Sequence, residues 1–126
     1  RGDLVKRARQ AHDAMIDELS HKAQVVYFRD EESISINGKH LVKFAPAKIL
    51  RKMVRAYVDS GQTVFENREF RRDNTIVYDP TNPNLNIRIQ RLAKALRQHF
   101  PLISIQKEER GKISFTTSCK IFYHEQ

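Results

Sequence analysis

The stretch from Asn84 to Phe100 constrains the fold more than any other part of this sequence. Its large aliphatic residues recur at spacings of four, three and four, which places them on one side of a helix at about 100° per residue. They are Leu85, Ile89, Leu92 and Leu96. Pro101 follows directly, and a proline cannot continue a helix. We therefore predict a helix over residues 84–100 with one buried apolar seam and one exposed polar face.

Segments with the character of β-strands lie on both sides of this helix. The segments before it are Val25–Phe28, Ser33–Ile36 and Leu41–Phe44. Asn37-Gly38 separates the last two, and this pair favours the type I′ turn of a tight hairpin. The segments after it are 102–107, 112–116 and, as a further short strand, 121–123. We predict an antiparallel meander before the helix and a β-hairpin after it.

Two more helices are predicted between the meander and residue 84. The first begins at Pro46, which suits a first helical turn, and ends at Ser60-Gly61. Its cations, Lys48, Arg51, Lys52 and Arg55, are expected to face solvent. The second is short, from Glu66 to Arg72, with Phe70 as its expected core residue. Three helices would then share one core.

The N-terminal residues read as a separate amphipathic helix, from Leu4 to Ala23. We predict a connecting or dimerising segment over residues 1–24 and a globular domain over residues 25–126. A helix packed on its own domain remains an equal alternative. Because the chain begins with Arg1, we expect it to be part of a longer protein.

The net charge of +8 is concentrated on the helix at 84–100. Half of it comes from Arg88, Arg91, Lys94 and Arg97, and this segment contains no acidic residue. A charged helix face is most often simply solvated. Here the face also carries Asn and Gln, which with Arg pair with base edges, and Ile87, which suits a thymine methyl group. These features favour nucleic acid as a partner.

The sequence contains no signal for an enzyme. Its glycines form no phosphate-binding loop, and its histidines never stand four residues apart. Its one cysteine, Cys119, is expected to be half-buried on a strand. No apolar run reaches the roughly 18 residues that a membrane-spanning helix needs. We expect no catalytic residue, cofactor, metal or small-molecule substrate, no membrane association and a cytoplasmic location.

The order meander, helix, short helix, loop, basic helix and hairpin is typical of a winged helix-turn-helix. Four stretches carry the resemblance: ISINGKHLVKFAPAKILRKMV, GQTVFENREF, NLNIRIQRLAKALR and ISIQKEERGKISF. Over residues 25–116 the chain resembles the DNA-binding effector domain of OmpR/PhoB-type response regulators. The resemblance implies an α+β winged helix-turn-helix fold with a meander, a three-helix core and a hairpin wing, here with an extra N-terminal helix.

The resemblance also implies site residues. A recognition helix at 84–100 would enter the major groove and read bases through Asn84, Ile87, Arg88, Gln90, Arg91 and Lys94. A wing at 103–116 would lie on the minor groove or backbone. Phosphates would be bound by Arg97, Lys107, Arg110 and Lys112. The loop at 74–83, with Asn74, Tyr78 and Asp79, would contact RNA polymerase.

By the same resemblance the chain would act in a bacterial transcription regulator and bind double-stranded DNA as a homodimer. Two departures stand out. The wing has a single glycine followed by Lys112 and Ile113 where the family usually has an aromatic residue, and the phosphoacceptor domain of the family is not among these 126 residues. The alternative from another class is a winged-helix protein-interaction module that assembles through its first helix. RNA binding is a third option, but paired aromatics for base stacking are missing.

Overall fold

The computed structural model describes residues 22–77 and 84–126. In these ranges the chain is an α+β protein with three helices and seven strands in two sheets. The helices are α1 (Ala45–Ser60), α2 (Asn67–Arg71) and α3 (Leu85–His99). The strands are β1 (Lys22–Phe28), β2 (Ser33–Ile36), β3 (Lys39–Lys43), β4 (Val64–Glu66), β5 (Ile103–Glu108), β6 (Lys112–Thr117) and β7 (Lys120–Glu125).

The first sheet has the order β3-β2-β1-β7. The predicted antiparallel meander forms β1 to β3, and both turn residues, Asn37 and Gly38, have the positive φ that a type I′ turn requires (52° and 79°). The Asn37 side chain joins this turn to β1, because its Oδ1 accepts from the Gln24 N–H at 2.8 Å. Strand β7 returns from the end of the chain and pairs parallel to β1.

The second sheet contains the predicted hairpin of β5 and β6, and β4 adds to it on the β6 side. The alternating residues of the hairpin, Ile103, Ile105, Ile113 and Phe115, are all buried, as the sequence predicts. A short 3-10 turn at Glu109–Gly111 forms its tip, with Arg110 and Gly111 at positive φ. The short β4 ends directly at α2, so it places that helix beside the tip of the hairpin.

The three helices pack between and against the two sheets around one core. Helix α1 has Pro46 in its first turn and ends at Gly61, whose left-handed φ of 74° lets its N–H donate to the Tyr57 carbonyl oxygen at 2.8 Å. Helix α3 buries all four seam residues, Leu85, Ile89, Leu92 and Leu96, and leaves its polar face outside. Phe70 anchors α2 in the core as predicted.

Three sequence-based predictions are wrong in detail. Lys22 and Ala23 belong to β1 and not to the N-terminal helix, because their pairing with β7 overrides the local helical pattern; the rest of that predicted helix lies outside the described residues. Lys48 is 9% exposed and not solvated, since its Nζ lies 2.9 Å from a Glu32 carboxylate oxygen. Cys119 is buried in the bend between β6 and β7 and does not lie on a strand.

Candidate nucleic-acid interface

The outer face of α3 is the most cationic surface that one element of the described chain presents. Ile87 is 50% exposed at its N-terminal end, and Gln90, Arg91, Lys94 and Arg97 are all exposed. The burial of the seam on the opposite side forces these residues outward. The first turn of α3 contains no acidic residue, so the positive end of the helix dipole adds to the charge of the side chains.

Two of the predicted base-reading residues also have structural roles. Asn84 is exposed and precedes α3 in the left-handed conformation (φ 47°, ψ 29°), a geometry that asparagine tolerates better than most residues. Arg88 is half-buried, and its Nη1 donates to the Ile76 carbonyl oxygen at 2.8 Å. Arg88 therefore ties α3 to the chain before the loop and offers only part of its guanidinium group to a ligand.

The four cations of α1 lie beside three carboxylates of the fold. Arg51 Nε lies 2.5 Å from a Glu125 carboxylate oxygen, and Lys52 Nζ lies 3.2 Å from an Asp73 oxygen. Arg55 lies 4.0 Å from the same oxygen of Glu125, and Lys48 pairs with Glu32. Every cation that the sequence places on the polar side of α1 thus has a carboxylate partner.

The cations of α3 differ from those of α1 in this respect. Among the described residues, no charged group of an α3 cation lies within ion-pair distance of a carboxylate. The same holds for the three cations near the hairpin tip. The α3 cations are Arg88, Arg91, Lys94 and Arg97, and those near the tip are Lys107, Arg110 and Lys112. Their charge is therefore available to an external polyanion.

The hairpin tip and α2 enclose a cationic cleft that the sequence did not predict. Its volume is about 350 Å³, and its lining includes Arg68, Arg71 and Arg110. Arg68 pairs with Glu66, whereas Arg71 is exposed. The charged residues of the stretch NREFRR were the sequence signal from which this cleft could have been predicted. Its position at the hairpin tip was not predictable, because only the pairing of β4 with β6 brings α2 there.

The chain that leads to the predicted polymerase-contact loop is anchored by Asp73. Its Oδ1 accepts from the Thr75 N–H at 2.9 Å, and Lys52 binds its Oδ2. Burial opposes ionisation of this carboxyl group, but the hydrogen bonds from Thr75 and Lys52 outweigh burial and lower its pKa. Asn74 is exposed, while Tyr78 and Asp79 lie outside the described residues.

A second polar cluster joins β7 to α1. A Glu125 carboxylate oxygen accepts from the Tyr123 hydroxyl at 2.7 Å and from Arg51 Nε at 2.5 Å, and these two bonds lower the pKa of Glu125. Burial and the bond to Glu125 raise the pKa of Tyr123. These bonds tie β7 to α1 and stabilise the fold.

Within residues 22–77 and 84–126, no three His, Cys, Asp or Glu side chains are grouped as metal ligands. None of the helices described is both long and apolar enough to cross a membrane. Comparisons with protein-family models, with curated proteins and with solved structures returned no match for this chain.

Proposed function

We propose that this chain is a winged helix-turn-helix domain that binds double-stranded DNA, with α3 in the major groove. The observation that carries the proposal is the contrast between two helices of one domain: the cations of α1 are paired, and those of α3 are not. A folded domain can pair its surface cations with carboxylates, as this one does on α1, so an acid-free face on α3 suits an external polyanion.

The arrangement around α3 supports duplex DNA in particular. Gln90 and Arg91 are side chains that pair bidentately with base edges, and they are exposed on the N-terminal half of α3. Arg97 and the cations at the hairpin tip would bind phosphates, and α2 would cross the backbone beside them. The order of helices and strands supports a winged helix, with β5 and β6 as the wing.

The resemblance to OmpR/PhoB-type effector domains supports the role of a transcription regulator that acts as a dimer. One recognition helix reads few bases, and paired half-sites are the common solution. On this proposal residues 1–21 supply the connection or the dimer contact, and the loop after Asn74 contacts RNA polymerase.

The test compares the affinity for two duplexes, one of random sequence and one selected from a randomised library. Fluorescence anisotropy measures both affinities at three salt concentrations. Each neutralised phosphate contributes about 0.9 to the slope of log affinity against log salt, so the seven unpaired cations of α3 and the hairpin tip would together contribute roughly six per protomer if all of them met phosphates. We expect a slope of about −4 to −6.

A charge-matched pair of variants separates this face from net charge. The interface variant is Arg91→Gln, Lys94→Gln and Arg97→Gln, and the control is Arg29→Gln, Lys39→Gln and Lys120→Gln, all at exposed positions. We expect the interface variant to flatten the slope by about 1–3, from about one if only Arg97 meets a phosphate to nearly three if all of them do, and the control by much less. Equal effects of the two variants, or no duplex binding near 50–100 mM salt as a rough test range, would refute the proposal and favour a protein-interaction module.

A further inference from the structure

The junction between β3 and α1 combines an exposed aromatic ring with a backbone conformation that suits glycine. Phe44 is 54% exposed and has φ 65° and ψ −138°. Its N–H donates to the Glu32 carbonyl oxygen at 2.6 Å, and its own carbonyl oxygen accepts from the Lys48 N–H at 3.1 Å. A glycine would adopt this positive φ with less strain. The backbone conformation therefore does not explain why a phenylalanine stands here, and the exposed ring needs a different explanation.

The ring borders an open groove that leads to α3. This groove has a volume of about 450 Å³ and is lined from the β3–α1 side by Val42, Lys43, Phe44 and Pro46, and from α3 by Arg88 and Arg91. Lys43 Nζ lies 5.1 Å from the centre of the Phe44 ring. Glu32 also lines the groove, but its carboxylate is bound to Lys48. The groove therefore combines an apolar surface with cationic edges.

The position of this groove relative to α3 determines what it would meet. A helix with its side chains is about 10–12 Å across and the major groove is about 12 Å wide, so elements beside a docked helix meet the phosphate backbone. Arg88 and Arg91 lie about 60° apart around the α3 axis, on the same flank. The β3–α1 junction lies beside that flank, because it shares the groove with both arginines.

We propose that Lys43 and Phe44 form a second contact with the DNA backbone, in which Lys43 binds a phosphate and the Phe44 ring packs on the neighbouring deoxyribose. This inference rests on the proposed DNA binding by α3. The position of the groove favours DNA over an acidic protein segment, because the groove continues through Arg88 and Arg91 into the α3 face that is proposed to bind the duplex. A sugar and a phosphate are the same at every base pair, so the contact strengthens binding without selecting a sequence.

The test uses two substitutions of Phe44 and one of Lys43. Phe44→Ala and Phe44→Gly both remove the ring, and we expect each to weaken binding about three- to tenfold, equally on a selected and a random duplex. Phe44→Gly should melt at a higher temperature than Phe44→Ala, because only glycine relieves the strain of the positive φ. Lys43→Gln should flatten the salt slope by about 0.9.

The chain provides a matched control at the opposite edge of the first sheet. On β7, Phe122 is 45% exposed and Lys120 Nζ lies 5.4 Å from the centre of its ring, yet neither residue borders the groove. Phe122→Ala and Lys120→Gln remove the same groups as the Phe44 and Lys43 variants. We expect both to keep the wild-type affinity and the wild-type salt slope.

The outcomes distinguish this inference from the proposed function. If the wild type binds duplex DNA and the Phe44 and Lys43 variants bind equally well, the backbone contact is refuted and DNA binding by α3 stands. If Phe44→Ala weakens only the selected duplex, the ring reads bases, and the backbone contact is again refuted. If the wild type binds neither duplex, both proposals fail. Lys43→Gln keeps the test decisive even if a Phe44 variant unfolds, since Lys43 is exposed.

Discussion

Replacing Arg91 and Arg97 separately by alanine tests whether α3 reads bases or only holds the backbone. Both side chains are exposed and have no carboxylate partner among the described residues, so neither substitution breaks an ion pair of the fold. They differ in position. Arg97 lies about 9 Å further along the axis and about 120° away around it, at 1.5 Å and 100° per residue. The two lie about 60° on either side of Lys94 around the axis, so their position along the axis is what separates them. A docked recognition helix reaches base edges with its N-terminal residues, and we therefore expect Arg91 to reach base edges and Arg97 to reach phosphates.

The expected magnitudes follow from this difference. Arg91→Ala should cost about 1–3 kcal/mol on the selected duplex and much less on a random one, because a bidentate bond to a base is lost only where that base is present. Arg97→Ala should weaken both duplexes alike and flatten the salt slope by about one. Gln90→Ala should behave like Arg91→Ala, since Gln90 is also exposed in the N-terminal half of α3.

The assay is fluorescence anisotropy with both duplexes, together with a thermal melt of each variant. Leu92→Ala is the stability control: Leu92 is fully buried in the seam, and an unfilled core site should cost roughly 2–5 kcal/mol of the free energy of unfolding. The surface variants should melt like the wild type. Equal losses on the two duplexes for both Gln90→Ala and Arg91→Ala would show that α3 is not the reading element.

Two more predictions concern stability and the N-terminal residues. The carboxyl groups of Asp73 and Glu125 have lowered pKa values in the fold, so the stability they contribute is present above about pH 4–5 and is lost as the pH falls through the folded-state pKa. The melting temperature should fall in acid, and Asp73→Asn or Glu125→Gln should make that fall smaller; an unchanged fall in both variants would contradict the linkage. Deleting residues 1–21 leaves β1 complete, so we expect a folded chain that binds DNA more weakly, measured by melting and anisotropy; an unfolded product would show that this segment belongs to the core.

The candidate interface could be predicted from the sequence to the extent that it depends on one helix. The spacing of Leu85, Ile89, Leu92 and Leu96 decides which residues of α3 face outward, and the structure places Gln90, Arg91 and Lys94 there. Neighbouring elements were less predictable. Three features depend on how separate segments pack together. Arg88 bonds to Ile76, Arg71 shares a cleft with the hairpin tip, and Phe44 shares a groove with α3.

The sequence by itself determined the elements whose signals are local. The Asn37-Gly38 turn, the proline near the start of α1, the glycine after its end and the α3 seam all act over a few residues, where backbone preference and apolar spacing decide the outcome. The tertiary structure decided what depends on distant partners. Arg51 finds Glu125 across 74 positions of sequence, and β1 takes in Lys22 and Ala23 because β7 lies beside it. No local pattern encodes such pairings, because strand partners and ion pairs form only when the whole chain packs around one core.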